Sequence, residues 1–160
     1  LATKMGVKAA LGLLPSVKEA TSEQVASTEF LEAIDSEAPP QMMRTLSPIL
    51  DIGVHDDGEP QRFFLFATVS FDTAFASMLD WEATMYQEWA PFFGLPTTDA
   101  SGKSLGNPTF GDRLIANRDA RVVVNAQGDI IFLYSIVDDA HIVITDSTDT
   151  MKLVVERLNF

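Results

Sequence analysis

The 160-residue sequence has no cysteine and only two histidines. The first absence excludes disulfides, thiolate nucleophiles, iron–sulfur clusters and Cys-ligated zinc. The second leaves few groups for imidazole chemistry. Positive charge is scarce too: 11 Lys+Arg face 23 Asp+Glu, a net charge of -12. Nucleic-acid affinity rests on Lys and Arg contacts to phosphate, so a nucleic-acid partner is not expected. Nor does any run reach the roughly 18–20 apolar residues of a membrane-spanning helix. The longest N-terminal apolar patch, Ala9 to Leu14, contains Gly12. No secretory signal with a cleavage site is visible, and Asn107-Pro108-Thr109 carries the proline that bars glycosylation.

What is present is an apolar fraction of 46% with 21% charged residues, enough for one packed domain or one domain with a helical extension. Residues 1–50 read as a helical N-terminal segment. Val7, Ala10, Leu11 and Leu14 follow helical spacing up to Pro15. Thr21 and Gln24 form a capping-box pattern that predicts a helix through about Ile34. Pro39-Pro40 can open a further helix with Met42, Met43, Leu46, Ile49 and Leu50 on its apolar side, Pro48 ending or kinking it.

Residues 51–160 change period and carry most of the acidity, 17 acidic against 7 basic residues. The expected order is a strand over 51–55, a turn at Asp56-Asp57-Gly58, a strand over 62–69 and a helix over 72–92. A Gly/Pro/Ser/Thr-rich stretch at 94–108 then reads as a mobile or functional loop. Strands over 110–116, 121–125, 130–137 and 141–145 and a helix over 148–158 complete the chain, with short turns that favour an antiparallel meander. The predicted fold is therefore α+β: an antiparallel sheet of five or six strands, helices packed on one face, preceded by the N-terminal helical segment. The tetrads Ser70-Phe71-Asp72-Thr73 and Ser147-Thr148-Asp149-Thr150 each follow a hairpin with an Asp-Asp turn. They read either as relics of a ββα duplication or as two independent helix caps.

Motifs that would carry chemistry are weak. Ser101-Gly102-Lys103-Ser104 ends like a phosphate-binding loop, but Thr97 stands where the pattern needs glycine. His55 and His141 each lie beside an Asp pair, Asp56-Asp57 and Asp138-Asp139. Brought together, these six residues would suit a divalent metal or a hydrolytic site, whereas singly they are ordinary strand-end and turn residues. No G-x-S-x-G elbow or EF-hand loop occurs, and no cofactor is implied. Phe71, Phe75, Trp81, Tyr86, Trp89, Phe92 and Phe93 form an aromatic series suited to a core or to an interface. Its end, Trp89, Pro91, Phe92 and Phe93, beside the 94–108 loop, is the part expected to be exposed and to bind a partner.

Two stretches carry a family resemblance. One joins Ala74-Phe75-Ala76-Ser77-Met78-Leu79-Asp80-Trp81-Glu82 to Trp89-Ala90-Pro91-Phe92-Phe93-Gly94. The other runs from Ile115-Ala116-Asn117-Arg118-Asp119-Ala120-Arg121 through Leu133-Tyr134-Ser135 to Ile142-Val143-Ile144-Thr145. Over roughly residues 40–158 the chain resembles the extracytoplasmic part of uncharacterised, membrane-anchored proteins of candidate-phylum bacteria with reduced genomes. The resemblance brings no activity and no catalytic residue. It implies a location outside the cytoplasmic membrane, with an anchor before Leu1 as the only membrane contact. The expectation is a non-catalytic domain that binds a protein or an envelope component. The alternative is a metal-dependent or hydrolytic enzyme built on the His/Asp hairpins, and a purely structural scaffold is a third reading.

Overall fold

The computed structural model describes residues 20–56 and 58–158; the helix expected around Val7–Leu14 lies outside them. Seven antiparallel strands form one open sheet in the order β1-β2-β3-β7-β6-β5-β4. They are β1 (Ala20–Ala26), β2 (Leu46–Asp56), β3 (Pro60–Thr68), β4 (Gly111–Ile115), β5 (Arg118–Val124), β6 (Ile130–Ile136) and β7 (His141–Thr145). Four α-helices accompany them: α1 (Ser27–Ala33), α2 (Pro40–Thr45), α3 (Phe71–Trp89) and α4 (Thr148–Leu158). A 3-10 turn, Ala90–Phe93, continues α3.

The sheet is larger than the five or six strands expected because the N-terminal part contributes to it. The boundary expected at residue 50 falls inside β2. Residues 20–26, with their capping-box pattern, are an edge strand whose full length pairs with β2, Ala20 opposite His55 and Ala26 opposite Ile49. Alternation explains the outcome: Val25 is buried against the core while Gln24 faces the other side, opposite Asp51. Helix begins only at Ser27, whose buried hydroxyl donates to the Ser47 carbonyl at 2.6 Å. Pro40 does open a helix at its first position. That helix stops at Thr45, and Leu46–Leu50 are strand, with Pro48 in a register shift of the β2–β3 ladder.

The helices do not share one face, contrary to the sequence expectation. Strand periodicity sends Phe64, Phe66, Phe132, Tyr134, Ile142 and Ile144 to one side, under Ala74, Met78, Trp81, Met85 and Trp89 of α3. The alternate residues Phe63, Leu65, Leu133 and Val143 go to the other side, under Met151, Val154 and Val155 of α4. The central strands are thus apolar on both faces because both faces are covered. This arrangement bears on the two Ser-x-Asp-Thr tetrads. A two-fold axis relating the antiparallel neighbours β3 and β7 runs perpendicular to the sheet and would leave both helices on one side. Opposite sides, together with different caps, favour two independent helix starts. Ser147 Oγ accepts from the Thr150 amide at 3.1 Å, whereas Ser70 Oγ bonds the Thr73 hydroxyl.

The edge strand β4 is guarded. Its Arg113 Nη1 turns back to the Asp112 carbonyl at 2.9 Å, and the strand is short and charged, features that discourage edge-to-edge association. Residues 94–108 are a fastened loop. Thr98 bridges Ser104, and the Gln87 side chain of α3 donates to the Gly106 carbonyl at 2.6 Å.

Candidate functional site

The residues expected to form a sticky patch divide between core and surface. Trp89 is wholly buried, in edge contact with Phe64 at a ring-centroid distance of 4.8 Å. Phe92 and Phe93 are half-buried and also pack on Phe64; Pro91 alone is exposed. A continuous patch centred on Trp89 is therefore absent, because α3 delivers its last core side chain there.

Asp57 of the His/Asp constellation lies outside the described residues; the two histidines and their described neighbours are dispersed. His55 stands opposite Gln61, and His141 opposite Ala67, on the same central strand. Six residues of strand separate those positions, about 20 Å at 3.3 Å per residue. Each imidazole has a local partner instead. Buried His55 meets Thr150 Oγ1 at 3.1 Å through Nδ1, and half-exposed His141 meets Asp138 Oδ2 at 2.7 Å. Among the described residues no three metal-ligating side chains converge.

The phosphate-loop likeness resolves into a hairpin tip that already holds an anion. The Asp99 carboxylate accepts from the Ser101 amide at 2.8 Å, the Lys103 amide at 3.0 Å and the Ser101 hydroxyl at 2.6 Å. These bonds, led by the hydroxyl, hold its pKa below the usual carboxylate range. The donors a phosphate would need are taken.

A more open concavity lies elsewhere among the described residues. A groove of about 770 Å³ lies between the first half of α3 and the β4–β5–β6 wing of the sheet. Phe71 and Phe75 form its apolar wall, 37% and 43% exposed. One helical turn apart, their rings stack at 5.9 Å with planes 8° from parallel. Leu79, next on the same stripe, is also exposed. These positions sit about 80–100° around the helix from the core stripe of α3, so the helix carries two apolar stripes and the sheet covers only one.

The polar wall is organised by Glu82. Its carboxylate receives Nε and Nη2 of Arg121 at 2.7 and 2.8 Å, and the Tyr134 hydroxyl at 2.6 Å. Arg121 Nη1 reaches Asp112 at 2.7 Å, so every guanidinium nitrogen is used and the groove wall is fixed. Glu82 keeps Arg121 firmly protonated. Burial, then the Glu82 bond and charge, push the Tyr134 phenol above its ordinary range. Around this network the groove is lined by Asp112, Asp119, Asp138 and Asp139 against Arg113, Arg118 and Arg121. With Glu82 bound to Arg121, the surface is net acidic.

A second, smaller cleft of about 440 Å³ lies at the other end of α3. Pro91–Gly94 line it together with β3 residues 60–62, Val54 and Asp146. Phe71 and Phe75 belonged to the aromatic series read from the sequence, and the signal that separates them from Trp89 is their phase on the helix. No family model, curated protein or solved structure matches this chain.

Proposed function

We propose that the chain is a non-catalytic binding domain whose α3–β4–β5 groove takes an exposed segment of a partner protein bearing apolar and basic side chains. The stacked, solvent-facing Phe71/Phe75 pair beside that groove carries the reading. Two exposed aromatic rings on a rigid helix cost little conformational entropy on binding and supply the kind of anchor on which interfaces depend. The occupant's charge follows from complementarity: four aspartates outnumber three arginines in the lining, within a chain of net charge -12. The resemblance supports a working place outside the cytoplasmic membrane, which protease accessibility of the tagged protein in intact cells would test.

A set of defined peptides, basic–apolar and acidic–apolar with the same apolar residues, tests the site by fluorescence anisotropy. The basic–apolar members bind, and the double variant Phe71→Ala/Phe75→Ala weakens them at least about tenfold. Equal binding of both classes, or unchanged binding by the variant, contradicts the reading.

A further inference from the structure

The charge of the chain is unevenly placed. Residues 1–18 hold Lys4, Lys8 and Lys18 and no acidic residue, the longest stretch without Asp or Glu. That leaves 8 basic and 23 acidic residues in 19–160, so the net of -12 divides into +3 and -15. Within the basic stretch, Lys4-Met5-Gly6-Val7-Lys8 alternates. In an extended chain its two lysines share one side and Met5 and Val7 the other. The α3–β4–β5 groove has walls of the matching kinds. Phe71 and Phe75 are apolar, and Asp112, Asp119, Asp138 and Asp139 face three arginines, of which Arg121 is already bound by Glu82 and Asp112.

The sheet register sets the distance to be spanned. Ala20 stands opposite His55, which stands opposite Gln61. Asp138 and Asp139 lie just before His141, which stands opposite Ala67. Ala20 is thus about 20 Å from the groove along the strands and about 24 Å, five strand spacings, across the sheet to β5. The diagonal is about 31 Å. Lys8 and Lys4 precede Ala20 by about 40 and 53 Å of extended chain, enough to pass around the molecule. A helix over 7–14 would hold Val7 within about 30 Å, so the extended, alternating form is the one that fits.

We propose that residues 4–8 occupy the groove of their own chain, Met5 and Val7 against Phe71 and Phe75 and the two lysines among the aspartates. This occupancy rests on the preference of the groove for basic–apolar segments and makes the chain its own first ligand. A partner segment must displace a tethered competitor held at roughly millimolar effective concentration.

Because the chain has no cysteine, Ala2→Cys places a single nitroxide label beside the segment in the full chain. Selective broadening of the backbone amide signals of 71–79, 112–121 and 134–139 is expected. Met5→Ser/Val7→Ser, which leaves the charge unchanged, should abolish it. Labelled chains mixed with unlabelled, isotope-enriched chains should broaden nothing in the latter. Broadening in that mixture would put the segment on a second copy and overturn the proposal, as would broadening that is absent or centred elsewhere. In the anisotropy assay the Met5→Ser/Val7→Ser chain should bind basic–apolar peptides at least about threefold more tightly, its competitor being gone. Equal binding by both chains overturns the self-occupancy and leaves the partner reading intact. No peptide binding by either chain, with the broadening present, overturns the partner reading and supports the self-occupancy.

Discussion

Gly53 marks a place where one hydrogen atom decides the packing. A Cβ built there would stand 2.1 Å from Cζ of Phe63, whose ring lies across the glycine from the neighbouring strand and is almost wholly buried. The ring has no outward escape because α4 packs over that face. Gly53→Ala should therefore destabilise the fold by about 2 kcal/mol, as overpacking does. Chemical denaturation measures this, and Phe63→Leu in the same background should recover part of the loss. Wild-type stability of Gly53→Ala would refute the packing claim.

Asp51 offers a pH test at the same scale. It is buried on β2, accepts from Gln24 across β1, faces His141 from β7, and leaves Oδ1 without a partner. Burial raises its pKa above the ordinary carboxyl value of 3.8. The sign follows from linkage: the folded state holds the proton more tightly, so stability falls as pH rises above that value. Asp51→Asn should flatten this part of the stability–pH curve and be the more stable form at neutral pH. Thermal melts from about pH 4 to pH 7 check it, and an unaltered slope would show that Asp51 does not contribute.

At the scale of elements, the Glu82–Arg121–Tyr134 network ties α3 to β5 and β6. Glu82→Gln should cost about 1–2 kcal/mol, because it leaves a partly buried guanidinium with exposed Asp112 as its remaining anionic partner. A double-mutant cycle with Arg121→Gln should show a coupling of about 1–3 kcal/mol. Additive effects would mean that the close geometry of the trio carries no energy. Tyr134→Phe, losing one hydrogen bond, should cost less, about 1 kcal/mol.

Legibility in the sequence also differed by element. β3, β6, β7, α3 and α4 were readable because their apolar runs and helical stripes are long, and their observed bounds lie within three residues of the expected ones. Residues 20–26 were not, since a capping-box pattern is local and pairing with β2 is not. Leu46–Leu50 failed for the same reason, helical spacing of apolar residues being compatible with a bulged strand. Alternation within Phe63–Phe66 implies two covered faces, yet which helix covers which face depends on the crossover and leaves no mark on composition. The candidate groove was half legible: Phe71 and Phe75 stood out as aromatics, but Arg121, Glu82 and Tyr134 meet only through the fold.

At the scale of the whole molecule, the two covered faces leave the groove open at the wing where α3 departs from β4 and β5. Truncating Phe71 and Phe75 should cost the fold little, below about 1 kcal/mol for the pair, since both rings are substantially exposed. Binding and stability thus separate cleanly in that variant. The acidity that the composition displays is used locally: Asp99 fills a turn, Asp138 orients His141, and Asp112 completes the Arg121 network.

The central claim is that a basic–apolar segment seats between α3 and β4–β5 and not around Trp89. Hydrogen-exchange mass spectrometry of the protein with a bound basic–apolar peptide tests it most directly. Protection concentrated in 71–79, 111–121 and 134–139 is the predicted result. Protection centred on 89–94, or none above the free protein, would contradict it.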